Sequence, residues 1–198
     1  MAKRSSLKHL SRDTVSFSDH LDGFSASIKG SDLEAVIISV SLIENALERT
    51  IRDRFRELSQ PEVDDLFSGT GALSSLSAKI HIGYAIGILG KKAKHDLLAM
   101  KDIRNAFAHS AKAISFDTPE VAQKCAGVHH IKEVGSEYEG DLRDKFLAAA
   151  RVFCFLLNVY EPTRIEVEGL GDLSDDTPRS ASESSSPTNS DGDSKRGS

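Results

Sequence analysis

From Val36 to Leu58 apolar side chains recur every three or four positions: Val36, Val40, Ile43, Leu47, Ile51, Phe55 and Leu58. That period draws one stripe along a long amphipathic helix. Ser31 and Glu34 stand before it in capping-box spacing, which satisfies two amides at a helix start reciprocally. Ser59 and Glu62 repeat the spacing around Pro61 and predict a short helix through Phe67. "SGTGA" then reads as a turn, and Leu73, Leu76, Ile80, Tyr84 and Ile88 mark a further helix capped by Gly90. Gly83 and Gly87 lie one turn apart in it, a cost most easily offset where another helix packs closely.

Leu97, Met100, Ile103 and Phe107 predict a helix from about 92 to 108. Asp117 and Glu120, with Pro119 at the first helical position, open another. "HHIKEVGSEYEG" reads as a loop or short hairpin. The run from Asp141 to Glu161 is apolar around most of its circumference, which predicts a helix at the centre of the bundle, ended by Pro162. "TRIEVEG" reads as an extended segment after it. No strand–helix–strand alternation appears, so the class is all-α: one multi-helix bundle. Its domain is expected over 13–168, between a flexible N-terminus, 1–12, and a disordered acidic Ser-rich tail, 169–198, which lacks the apolar residues to offset ordering.

Charge narrows the function classes. The formal net charge of −5 divides into −3 for the last thirty residues, with six acids and three bases, and −2 for the rest. A nearly neutral folded part lacks the basic excess that phosphate binding favours. Neither a secretory leader nor a membrane span is expected, since the most apolar run, Phe146 to Tyr160, is short and holds Arg151 and Asn158. Cys125 and Cys154 read as free core thiols of a cytoplasmic protein. "SGTGA" lacks the lysine of a phosphate-binding loop. Arg49, Arg52, Arg54 and Arg56, interleaved with acids, read as a solvated, ion-paired face. His129 and His130 diverge as neighbours, and no nearby Cys, Asp or His completes a ligand set, so no metal and no cofactor is expected. His81 reads as a surface or satisfied core histidine.

"LIENALERTIRDRF", "LFSGTGALSSLSAKIHIGYAIGIL" and "DLLAMKDIRNAFAHSAKAISFD" together resemble the mannitol operon repressor family of bacterial regulators, over about Ser31 to Cys125. The resemblance implies an all-helical cytoplasmic regulator of transcription that needs no helix-turn-helix of its own. No helix pair here has the short, exposed second helix that base reading demands. Repression through a protein partner, such as another transcription regulator, is therefore expected, with homo-oligomers, without direct DNA binding, and without enzymatic activity.

The hexad Arg104 to His109 is also similar to the R-x4-H signature of HEPN domains, many of which are metal-independent ribonucleases acting as dimers. That likeness implies an alternative RNA-binding or RNA-cleaving role: Arg104 would stabilise phosphate charge, Asn105 would fill the polar position after it, and His109 would move protons. On an ideal helix Arg104 and His109 stand about 140° apart, so they converge only at a helix break or across two subunits. A structural reading comes first. Glu44, embedded in the apolar stripe, needs a cation, and Arg104 is the expected partner. Asp102, Asn105 and His109 would form a separate polar stripe.

Overall fold

The computed structural model describes residues 29–135 and 140–159. Among these stand seven helices: α1 (Asp32–Arg54), α2 (Gln60–Phe67), α3 (Leu76–Ala85), α4 (Lys91–His109), α5 (Pro119–Ala126), α6 (His129–Gly135) and α7 (Leu142–Val159). All lie in one compact unit, and no described residue is in a strand. The segments expected as a flexible start (1–12), an extended piece ("TRIEVEG") and a disordered tail (169–198) lie outside the described residues.

The fold is organised around α1. Most helical stability in a folded chain comes from packing of an apolar face, so packing must hold these helices. The predicted stripe does so: Val36, Val40, Ile43, Leu47 and Ile51 are fully buried, and α1 packs against α3, α4 and α7. Ser31 Oγ accepts from the Glu34 amide while Glu34 Oε2 accepts from the Ser31 amide, so the first capping box forms. The box of Ser59 and Glu62 likewise starts α2. α1 ends at Arg54, sooner than the stripe suggests. Phe55 is extended, and its side chain, with that of Leu58, packs on the core from beyond the helix.

α1 and α7 run parallel, tied at both ends. At the start, Arg143 Nη2 donates to the Gly30 carbonyl at 2.6 Å and Nε lies 3.1 Å from Asp32 Oδ1. At the far end the buried Thr50 hydroxyl shares its proton between the Ala46 carbonyl of its own helix at 2.9 Å and the Leu157 carbonyl at 3.1 Å, which Arg49 Nη2 also reaches at 3.4 Å. Arg49 thus caps a helix carbonyl, while Arg52 and Arg56 are exposed. α7 is not central, contrary to its all-round apolarity. One face, with Phe146, Ala150, Phe153 and Leu157, is buried, and the opposite face is open.

Several boundaries differ from the expectation. Gly83 is buried in α3, and a Cβ there would meet Leu47 Cδ1 at 3.3 Å, so the close helix approach is real at this glycine. Gly87 lies beyond the helix with φ +79°, and Gly90 caps the start of α4 instead of the end of α3. Asp117 makes no capping box. Thr118 precedes α5, with its hydroxyl turned to the Ser115 amide. Most important, His129–Gly135 is a helix and not a loop.

Between α1 and α3 lies a buried charge cluster. Lys79 is 4% exposed, and its Nζ sits 2.8 Å from both Glu44 Oε1 and Glu48 Oε2, one turn apart on α1. Burial works to lower the Lys79 pKa, but the hydrogen bonds and charges of Glu44 and Glu48 outweigh it and hold it above the ordinary lysine value. Lys79→Ala would leave two largely buried carboxylates unpaired. It is expected to destabilise the fold by about 2–3 kcal/mol in denaturant titrations at neutral pH. Because the folded pKa is raised, this contribution is complete below the unfolded lysine value and is lost as pH rises through the folded one. As pH is raised from neutral, the gap between variant and wild type should therefore begin to narrow above about pH 10.4.

Candidate functional site

α4 carries both the hexad and a second polar cluster. Its inward face is the predicted one, with Leu97, Met100, Ile103 and Phe107 buried. Phe107 is extended by rings from other elements: Phe116 lies 5.6 Å from it and Phe146 5.3 Å from Phe116, centroid to centroid. Polar hexad residues therefore fall to the flanks. Arg104 Nη1 donates to Asn105 Oδ1 at 3.1 Å, both side chains half-buried. His109 is exposed and is the last residue of α4. The helix does not break between Arg104 and His109, so the two are not brought onto one point within a chain.

The structure does not bring Glu44 and Arg104 together as an ion pair. Glu44 takes Lys79 because α3 lies along that side of α1. The stripe Asp102, Asn105 and His109 is divided among partners as well. Asp102 Oδ2 binds Lys124 Nζ of α5 at 2.8 Å and Oδ1 binds Lys101 Nζ at 3.1 Å. These contacts, Lys124's before Lys101's, hold the exposed carboxyl below its usual range against a smaller opposing effect of burial. Asn105 turns to Arg104, as above.

The most constrained polar group on α4 is one that the sequence reading passed over. Asp96 is 0% exposed. Its Oδ1 accepts from the His129 amide at 3.0 Å and faces His129 Nδ1 at 2.8 Å, and its Oδ2 accepts from the His130 amide at 2.9 Å and faces His130 Nδ1 at 2.6 Å. His95 Nδ1 lies 3.2 Å from Oδ1. Burial pushes the Asp96 pKa up, but the amides and rings of His129 and His130 outweigh it, holding the carboxyl well below the usual range. One carboxylate therefore fixes the start of α6 to the flank of α4. A signal for it existed. Positions 96, 100, 103 and 107 keep helical spacing, which places an acid on the apolar stripe.

Among the described residues, His95, Asp96 and His129 form the group with metal-binding potential, one ligand atom from each lying within 4.8 Å of the others. The cysteines are not part of it. Cys125 and Cys154 are free and buried, and burial pushes their thiols up to about 11 and about 12. His81 is exposed, with Nδ1 2.6 Å from the Ser77 carbonyl oxygen one turn back.

The open face of α7 is the other distinctive feature. Val152, Phe155, Leu156 and Val159 are 36%, 53%, 49% and 52% exposed. Their spacing at i, i+3, i+4 and i+7 makes a continuous apolar stripe. Stripes of this kind mark contact surfaces more often than isolated exposed residues do. No helix among the described residues is long and apolar enough to cross a membrane.

Comparison with known proteins gives a consistent picture. A family model described as "MtlR: Mannitol repressor" matches residues 30–152. The X-ray structure of the MtlR-HPr complex from Escherichia coli contains a chain of the same fold, with TM-score 0.59 at 15% identity. The match covers 71% of this chain and 98% of that one. No curated protein matches.

Asp96→Asn is expected to cost about 3 kcal/mol, since it removes the buried charge and replaces one of the two accepting oxygens by an NH2 group set against the backbone amide of His129 or His130. Hydrogen exchange should show the loss first at the amides of His129 and His130, with the α1–α7 contacts still protected. Equal loss of protection throughout the chain would contradict the local role given to Asp96.

Proposed function

The chain belongs to the mannitol repressor family, and on that footing we propose that it regulates transcription by binding protein, not by reading operator DNA through a helix-turn-helix of its own. It acts in the cytoplasm and without catalysis. The observation that carries this reading is the apolar stripe of α7, Val152, Phe155, Leu156 and Val159, open on an otherwise well-packed helical unit. A surface of that kind suits protein contact, whereas phosphate recognition calls for clustered lysine and arginine.

Two kinds of occupant follow. In the solved relative, MtlR is in a complex with HPr, so the partner carried over to this chain is a protein, HPr or another transcription regulator. The same stripe suits a second copy of the chain, since such a row can pair with itself about a two-fold axis. The double variant Phe155→Glu, Leu156→Glu tests both, because it places charge on an exposed apolar face without removing a core residue. Light scattering should show loss of self-association, and calorimetric titration with purified HPr should show affinity at least about tenfold weaker, or about 1.4 kcal/mol. If the variant keeps its wild-type mass and HPr affinity, the reading is wrong. Specific operator binding by the isolated chain would also overturn it.

One observation supports a second reading, as a HEPN-like RNA-binding or ribonucleolytic dimer. His109 is exposed at the end of α4, five residues after the half-buried Arg104 and four after Asn105. A second subunit would be needed to set one chain's Arg104 near the other's His109. Incubation with total RNA and no divalent metal decides the matter. The protein-contact reading expects intact RNA, and cleavage that His109→Ala abolishes would replace it.

A further inference from the structure

The geometry points to a binding site for one divalent transition-metal ion, zinc-like in preference, formed by His95 and Asp96 of α4 and His129 of α6. The donors converge on one place. His95 Nδ1 and His129 Nδ1 lie 3.2 and 2.8 Å from the same oxygen, Asp96 Oδ1. Ligand atoms sharing a tetrahedral zinc at about 2.0–2.1 Å stand about 3.3 Å apart, so small adjustments of two surface rings would seat an ion.

Two independent observations favour a cation there over hydrogen bonds alone. First, Oδ1 faces three nitrogens, those of both rings and the His129 amide at 3.0 Å, although a carboxylate oxygen offers about two lone-pair positions. An ion held by both rings and Oδ1 would replace two crowded donors and leave the amide bond in place. Second, the carboxylate is wholly buried, and among the described residues no lysine or arginine pairs with it; only histidines do. The amides and rings hold the carboxylate in its charged form, and a divalent ion would add the full opposite charge that they lack.

The remaining shell is also suited to the task. Asp96 Oδ2 is fixed by the His130 amide and ring at 2.9 and 2.6 Å, and outer contacts of this kind orient a ligating carboxylate. The His130 ring in turn packs on Phe153, with centroids 4.5 Å apart. His95 and His129 are open to solvent, with side chains 58% and 41% exposed. Each can bind through Nδ1 while Nε2 keeps its proton toward water. The site would thus have an entry path and an open fourth position. Two imidazoles and one carboxylate favour zinc, nickel or copper over magnesium or calcium, which prefer all-oxygen shells.

The test uses the full, untagged chain stripped with a chelator and titrated with zinc alone. One ion per chain is expected, with a rise in Tm. His95→Ala removes a ligand from an exposed position and leaves the Asp96 bonds to α6 in place. It should weaken zinc binding at least about tenfold while circular dichroism stays unchanged. X-ray absorption should show a nitrogen and oxygen shell with imidazole scattering. The assignment fails if no stoichiometric ion binds, if His95→Ala binds zinc as the wild type does, or if the shell contains sulfur, which would put the ion on Cys125 or Cys154.

Discussion

Everything in this bundle depends on covering α1. Its central apolar stripe is buried so completely that it must be packed on several sides, by α7 on one and by α3 and α4 on others. Dispersion and apolar burial set that requirement without choosing a direction. Direction comes from polar bonds at the edges. Arg143 fixes the first turns of α1 and α7 to one another, and Thr50 fixes the last, so the pair runs parallel in one register.

The buried charges extend this logic. Lys79 sits between two carboxylates of α1, and Asp96 gathers the first amides of α6. Each is expensive to bury and more expensive to leave unpaired, so each demands one arrangement of neighbouring helices. The two differ in how their charge is met. Lys79 has permanent opposite charges beside it, whereas Asp96 has amides and imidazoles. That difference makes the first a fastening of the fold and the second a place where a cation has something to gain.

Function follows from what the packing leaves over. α7 buries one face against α1, α6 and α5 and keeps a second apolar face open. Under the function proposed above, that face is where the chain would meet a protein partner. The hexad fits the same picture: Ile103 and Phe107 serve the core, while Arg104 and Asn105 bond to each other.

The sequence by itself determined the helical class, the long stripe of α1, both Ser–Glu capping boxes and the inward face of α4, because these depend on periodicity and on residues three or four apart. The resemblance of three segments was also enough to point to the family. Partner choice across the bundle was decided only by tertiary structure. Glu44 plainly needed a cation, but whether Arg104 or Lys79 supplied it depended on which helix lay beside α1. The two apolar faces of α7 look alike in sequence, and only the positions of α1 and the helices beside it decided which was buried. The same holds for His129 and His130. No ligand stood near them along the chain, and a carboxylate more than thirty positions earlier reached both, because packing α6 on α4 makes sequence separation irrelevant to distance.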